Sequence, residues 1–173
     1  MEYTLSEHTH RFAIWTAARA VQRSWTTTKK ISNVIQSSHL HEFVNNYANI
    51  SDQKDFDDLQ KNWCKKMIEE FRILNEVATY GRVAKIIAIY LKTSIILAAE
   101  EKDSKINFIH PPIDRILLRN LSTNVAELKP LGKLNWTQLE KDDYWVMVNT
   151  IRNYIGFFDW RLEKYWKPEL ENN

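Results

Sequence analysis

From Asp55 to Ala78, apolar side chains return every third or fourth position: Phe56, Leu59, Trp63, Met67, Phe71, Leu74 and Val77. A helical period gathers them on one stripe and sends the intervening lysines and glutamates to the other side. A stripe of that length has to be covered by other elements, and no run in the chain alternates with period two over strand length. The chain has only three glycines and four prolines, so few sharp turns are available to a many-stranded fold. The expectation is an all-α protein, a single compact helical domain over residues 1–173 with about seven to eight helices. Hydrophobic residues make up 44% and charged ones 27%, enough apolar surface for a core and too much for global disorder.

The remaining helices follow from shorter signals. His8 to Trp25 carries Phe12, Trp15, Ala20 and Val21 close to helical spacing. Thr26-Thr27-Thr28 offers an N-cap for a second helix with Ile31, Val34 and Ile35, and His39 to Ala48 forms a short third. Asp52, Asp55, Asp57 and Asp58 crowd the start of the long helix, where the dipole favours negative charge. Gly81 breaks that pattern, and a helix from about Arg82 to Ala99, apolar almost all round, belongs at the centre. Glu100 to Lys105 is a surface loop, and Pro111-Pro112 forces a new start at Ile113 to Leu121. Thr137-Gln138-Leu139-Glu140 has the form of a capping box opening a helix to about Tyr154. Gly156 then separates a last aromatic helix holding Phe157, Phe158, Trp160, Tyr165 and Trp166.

Several functions are disfavoured. A single cysteine, Cys64, allows no internal disulfide and no multi-cysteine zinc site, and its place beside Trp63 suits a buried, inert thiol. The pairs His8/His10 and His39/His41 have i, i+2 spacing, which points two rings to different sides of a helix, so no metal is expected. No cofactor is expected either. A glycine-rich phosphate loop and a serine between glycines are both missing, which argues against nucleotide hydrolysis and serine-hydrolase chemistry. Met1 to Thr9 is polar, unlike a signal peptide, and Val83 to Ala99 is interrupted by Lys85, Lys92, Thr93 and Ser94. The expectation is a cytoplasmic protein without a membrane partner.

Charge is segregated although the formal net charge is only +2. Arg11, Arg19, Arg23, Lys29 and Lys30 lie in an acid-free window between Glu7 and Glu42, and Arg82, Lys85 and Lys92 in another from Val77 to Ala99. Such clustering builds a basic face for a polyanion, and equally a solvated helix face. Seven tryptophans suit a core and also a protein that stacks bases.

Two residues carry the chemical expectation. Gly81, Lys85, Ala88 and Lys92 form a narrow stripe of small and basic residues on the apolar helix. An amine near apolar walls or other cations loses proton affinity and becomes a usable nucleophile. The same stripe would serve as that helix's wet side. Asp114, after two prolines, suits an N-cap worth about 1 kcal/mol. A carboxylate held there also assists a nucleophile or stabilises an oxocarbenium charge.

Gly81-Arg82-Val83-Ala84-Lys85, an apolar helix, and then Pro112-Ile113-Asp114-Arg115-Ile116 resemble the active-site half of the helix-hairpin-helix DNA glycosylases. The long separation is similar to that of the archaeal oxoguanine glycosylase branch. The resemblance spans Val77 to Asn120 and implies a Schiff-base nucleophile at Lys85 and an activating carboxylate at Asp114. It also implies a hairpin at Gly81 that meets a DNA phosphate through backbone N–H groups.

On that resemblance the expected function is a DNA glycosylase, or glycosylase/lyase, that flips a damaged or modified base out of DNA. Arg82, Lys92, Arg115, Arg119, Arg19, Arg23, Lys29 and Lys30 are the candidate DNA-binding cations. Trp15, Trp25, Trp145, Trp160 and His110 are candidate walls of the base pocket, although the core would use them equally well. The alternative expectation is a non-catalytic helical module that binds nucleic acid or a protein partner, of the kind used in bacterial defence or regulation.

Overall fold

The computed structural model describes residues 3–21, 25–100 and 102–168. Among them are seven α-helices: α1 Leu5–Val21, α2 Thr28–Ser37, α3 Leu40–Asn46, α4 Gln53–Ile73, α5 Tyr80–Ser94, α6 Arg115–Asn124 and α7 Lys141–Ile155. Short 3₁₀ segments join them, and no strand occurs among the described residues, so the fold is all-α as the sequence predicts.

α5 is the central element. Of its 15 residues, Tyr80, Gly81, Val83 to Ala88, Tyr90 and Leu91 are buried, which is why its sequence is apolar on nearly every side. It packs against α1, α3, α4, α7 and the Trp136–Gln138 3₁₀ turn. Thr79 caps it by accepting from the Arg82 N–H.

α1 ends at Val21 and so excludes Trp25. Its buried face is Ala13, Ile14, Ala17, Ala18 and Val21, while Phe12 and Trp15 are 51% exposed. The small side chains let α1 lie close along α5, and the large rings are left outside. α4 stops at Ile73 because Asn75 turns left-handed at φ 58°. The Glu76 N–H then bonds the Phe71 carbonyl at 2.9 Å and the Asn75 N–H bonds that of Arg72 at 3.0 Å, a Schellman ending. Val77, expected on the buried stripe, is therefore 84% exposed. Asn75, and not Gly81, breaks the pattern, since Gly81 lies inside α5.

α6 starts at Arg115, two residues after the expected start at Ile113, with Asp114 as its cap accepting from the Leu117 N–H at 3.0 Å. The expected capping box does not form. Trp136–Gln138 is a 3₁₀ turn capped by Asn135, and α7 begins only at Lys141. The competing partners are on α5's first turn: Thr79 Oγ1 donates to the Thr137 carbonyl at 2.8 Å, and the Gly81 N–H donates to the Leu139 carbonyl at 2.9 Å. Gly156, at φ 91°, ends α7, and the expected last helix is reduced to a 3₁₀ segment, Trp160–Tyr165.

Candidate active site

Two turns of α5 separate Lys85 from Lys92, so both point to the same side of the helix. The side chain of Lys85 is 8% exposed, so the stripe of Gly81, Lys85 and Ala88 is an interior seam and not a wet face. Its ammonium meets the Asp114 carboxylate, with Nζ to Oδ2 at 3.2 Å. The cap places that carboxylate: one oxygen is held by the Leu117 N–H, which leaves the other to face α5. The capping and site readings of Asp114 therefore hold together in one geometry.

Two tryptophans complete the constellation. The Lys85 ammonium sits over the Trp136 ring, 4.4 Å from its centroid. Trp166 donates its indole N–H to the same Asp114 oxygen at 3.0 Å. Lys92 pairs with Glu163 and lies 5.8 Å from the Trp166 ring. An amine, a carboxylate and flanking π-faces are thus assembled from α5, the start of α6, the turn before α7 and the C-terminal segment. From sequence, Trp136 falls just before the expected capping box and Trp166 in the expected last helix, and neither has a local neighbour that marks it for this role.

The rings named as pocket walls are used elsewhere. Trp15 is exposed on α1 and stacks on Phe12. Trp25 donates to the Val77 carbonyl at 2.9 Å, Trp145 to the Tyr80 hydroxyl at 2.9 Å and Trp160 to Asn107 at 2.9 Å, all three packed against the core. His110 is buried in a polar network, with Nε2 3.0 Å from Asp57 and Nδ1 3.2 Å from the Tyr144 hydroxyl. These four pack in or against the core with their ring nitrogens bonded to internal partners, which corrects their expected place in a base pocket. Burial lowers the His110 pKa from its ordinary value, against the opposing pull of Asp57. Burial would raise the Asp57 carboxyl, yet hydrogen bonds from Arg152 and His110 hold it far below the usual range. Burial also pushes the Cys64 thiol well up, which keeps it protonated and inert.

The expected DNA-binding residues divide. Gly81 is buried and its N–H is taken by Leu139, so that amide cannot meet a phosphate. A β-carbon at Gly81 would lie 2.1 Å from the Trp136 carbonyl oxygen, so glycine is required there by close packing. Lys30 is bonded to Glu76 at 2.7 Å and to the Leu74 carbonyl at 3.1 Å, and Lys92 is held by Glu163. Arg19, Lys29 and Arg119 lie at the exposed surface of α1, α2 and α6. Arg23 lies outside the described residues.

Arg82 and Arg115, by contrast, come together. They line a cleft of about 470 Å³ with Lys133, Asn135, Trp136 and Thr137, whose wall includes neither Lys85 nor Asp114. Trp136 is common to both, standing under the ammonium and in the cleft wall.

Among the described residues no group of three or more His, Cys, Asp or Glu is placed to hold a metal ion. One histidine from each i, i+2 pair does meet the other: His10 and His41 share the Tyr90 hydroxyl at 2.7 and 3.2 Å. No helix among the described residues is long and apolar enough to cross a membrane. No protein-family model, no curated protein and no solved structure matches the chain.

Proposed function

We propose that this protein is a DNA glycosylase with an associated lyase step, using Lys85 as nucleophile and Asp114 as its carboxylate partner to remove a damaged or modified base. The single observation that carries this reading is a buried amine 3.2 Å from a carboxylate, with tryptophan side chains on both groups.

Asp114 takes a proton from Lys85, which frees the Nζ lone pair. Nζ attacks C1′ of a flipped nucleotide as the C1′–N bond breaks, and the base leaves with the bonding pair and takes the proton that Asp114 received. Having passed that proton on, Asp114 is again a carboxylate and opposes the positive charge left on the sugar and its new nitrogen substituent. Opening of the sugar ring between C1′ and O4′ gives an imine, loss of the C2′ proton expels the 3′ phosphate, and water releases the enzyme. Trp136 and Trp166 offer aromatic surfaces for the extruded base.

The test is borohydride trapping against a panel of damaged and modified DNAs, comparing the parent protein with Lys85→Gln and Asp114→Asn, each checked for folding by circular dichroism. The expected result is a covalent adduct that disappears in Lys85→Gln and forms roughly 10²- to 10⁴-fold more slowly in Asp114→Asn. If neither adduct nor free base arises from any DNA in the panel, the reading is wrong for those substrates. Salt-dependent DNA binding without reaction supports the second reading, a non-catalytic nucleic-acid-binding module, which the basic cleft favours.

A further inference from the structure

We infer that the cleft lined by Arg82, Arg115 and Lys133 is a phosphodiester subsite that holds the strand beside the nucleotide presented to Lys85. The substrate class rests on the glycosylase reading, while the test below works whether or not any chemistry occurs.

Three observations combine. First, the cleft has cationic side chains from three separate elements: Arg82 from the first turn of α5, Arg115 from the first residue of α6, and Lys133 from the 3₁₀ segment Ala126–Lys133. Among the described residues that line it none is acidic, so no internal carboxylate neutralises the group. Lys30 and Lys92, each paired with a glutamate, are elsewhere. Second, the Arg82 guanidinium lies 4.8 Å from the centroid of the Trp25 ring. Stacking occupies the face of the guanidinium and leaves its in-plane N–H donors, the geometry that suits a phosphate oxygen pair. Third, the cleft is joined to the site by covalent neighbours and a shared ring. Arg115 directly follows Asp114, and Trp136 stands both in the cleft wall and under the Lys85 ammonium. A phosphate in the cleft would leave the adjoining nucleotide next to the amine.

An anionic peptide would meet the same charges but would not use the aromatic wall. A nucleic acid uses both, because every base has a face to stack.

Anisotropy of a fluorescein-labelled, undamaged thymidine oligonucleotide, single-stranded and in duplex, measures binding across a sodium chloride series. Arg115→Gln and Lys133→Gln remove one exposed cation each. Lys65→Gln, exposed on α4, removes the same charge elsewhere. Each cleft variant is expected to reduce the salt slope by about 1 and weaken binding about tenfold at low salt, while Lys65→Gln does neither. Unchanged slopes in the cleft variants, equal loss in Lys65→Gln, or no binding by the parent protein would overturn the subsite. Displacement by poly-glutamate as readily as by unlabelled oligonucleotide at equal charge would overturn it too. The two readings separate cleanly. Cleft-dependent binding with no trapped adduct keeps the subsite and removes the glycosylase. An adduct formed equally well by variants whose salt slope is unchanged does the reverse.

Discussion

Asp57 holds Arg152 through two contacts at 2.6 and 2.8 Å while also accepting from His110 at 3.0 Å and Gln53 at 3.0 Å. With Nε2–H donated to Asp57, His110 keeps Nδ1 as an acceptor for the Tyr144 hydroxyl, so a neutral imidazole satisfies both sides. Asp57→Asn keeps the volume but leaves the guanidinium without its counter-charge. Loss of one partner from a buried pair costs far more than the pair itself contributes, so a loss of about 3 kcal/mol is expected. Urea unfolding at neutral pH measures it, and a change within about 0.5 kcal/mol, typical of a surface substitution, would contradict this account of the network. The inward turn of Asp57 was legible in principle. It shares a helical row with Gln60 and Cys64, both fully buried, whereas the crowd of aspartates nearby suggested only a helix start.

At the level of elements, packing decides where propensity would mislead. Alanine in place of a helical glycine ordinarily gains up to about 1 kcal/mol. At Gly81 the added carbon would strike a backbone oxygen at 2.1 Å, an atom that no side-chain rotation can move. Overpacking of that kind costs about 1–3 kcal/mol, so Gly81→Ala is expected to destabilise despite its better propensity. It should also push the Trp136 turn away from Lys85. Gly156→Ala meets nothing within 4 Å but must hold φ at +91°, a conformational cost of about 1 kcal/mol. Gly81→Ala should therefore lower the melting temperature more than Gly156→Ala and, alone of the two, reduce adduct formation. The opposite ranking would mean that the turn is free to shift. Helices with a continuous apolar row, such as α4, were readable from sequence. The face of α1 was not, because the rows Phe12–Trp15 and Ala13–Ala17 are both compatible with a helix and only α5 selects between them. The start of α7 was hidden for a similar reason, since Thr137 and Leu139 are claimed by residues of α5 far away in sequence.

Across the whole molecule, the pairing of Lys85 with Asp114 was anticipated because each carries a local mark, a lysine in an apolar run and an aspartate after prolines. Trp136 and Trp166 carry none, and only the folded chain brings them to that pair. The same assembly of distant charges makes the fold sensitive to acid, with two limbs whose signs agree. His110 and His10 have pKa values lowered from 6.5, both chiefly by burial, His10 further by His41 and Arg11 with Glu7 opposing. The unfolded chain takes up those protons near 6.5 while the folded chain resists them, so stability falls as pH drops below that value. Asp57 behaves in the complementary way. Its unfolded carboxyl titrates near 3.8 and its folded one well below, so its stabilisation is full above 3.8 and is lost as pH falls further. The urea midpoint should be level between about pH 7 and about pH 8, decline from about pH 6.5, and decline again below about pH 4. His10→Gln, at the partly exposed α1–α3–α5 contact, should lessen the first decline to the share that His110 supplies and leave the second intact. Equal midpoints at about pH 8 and about pH 5 would show that the folded chain binds those protons as readily as the unfolded one, and the buried histidines would then have to be charged.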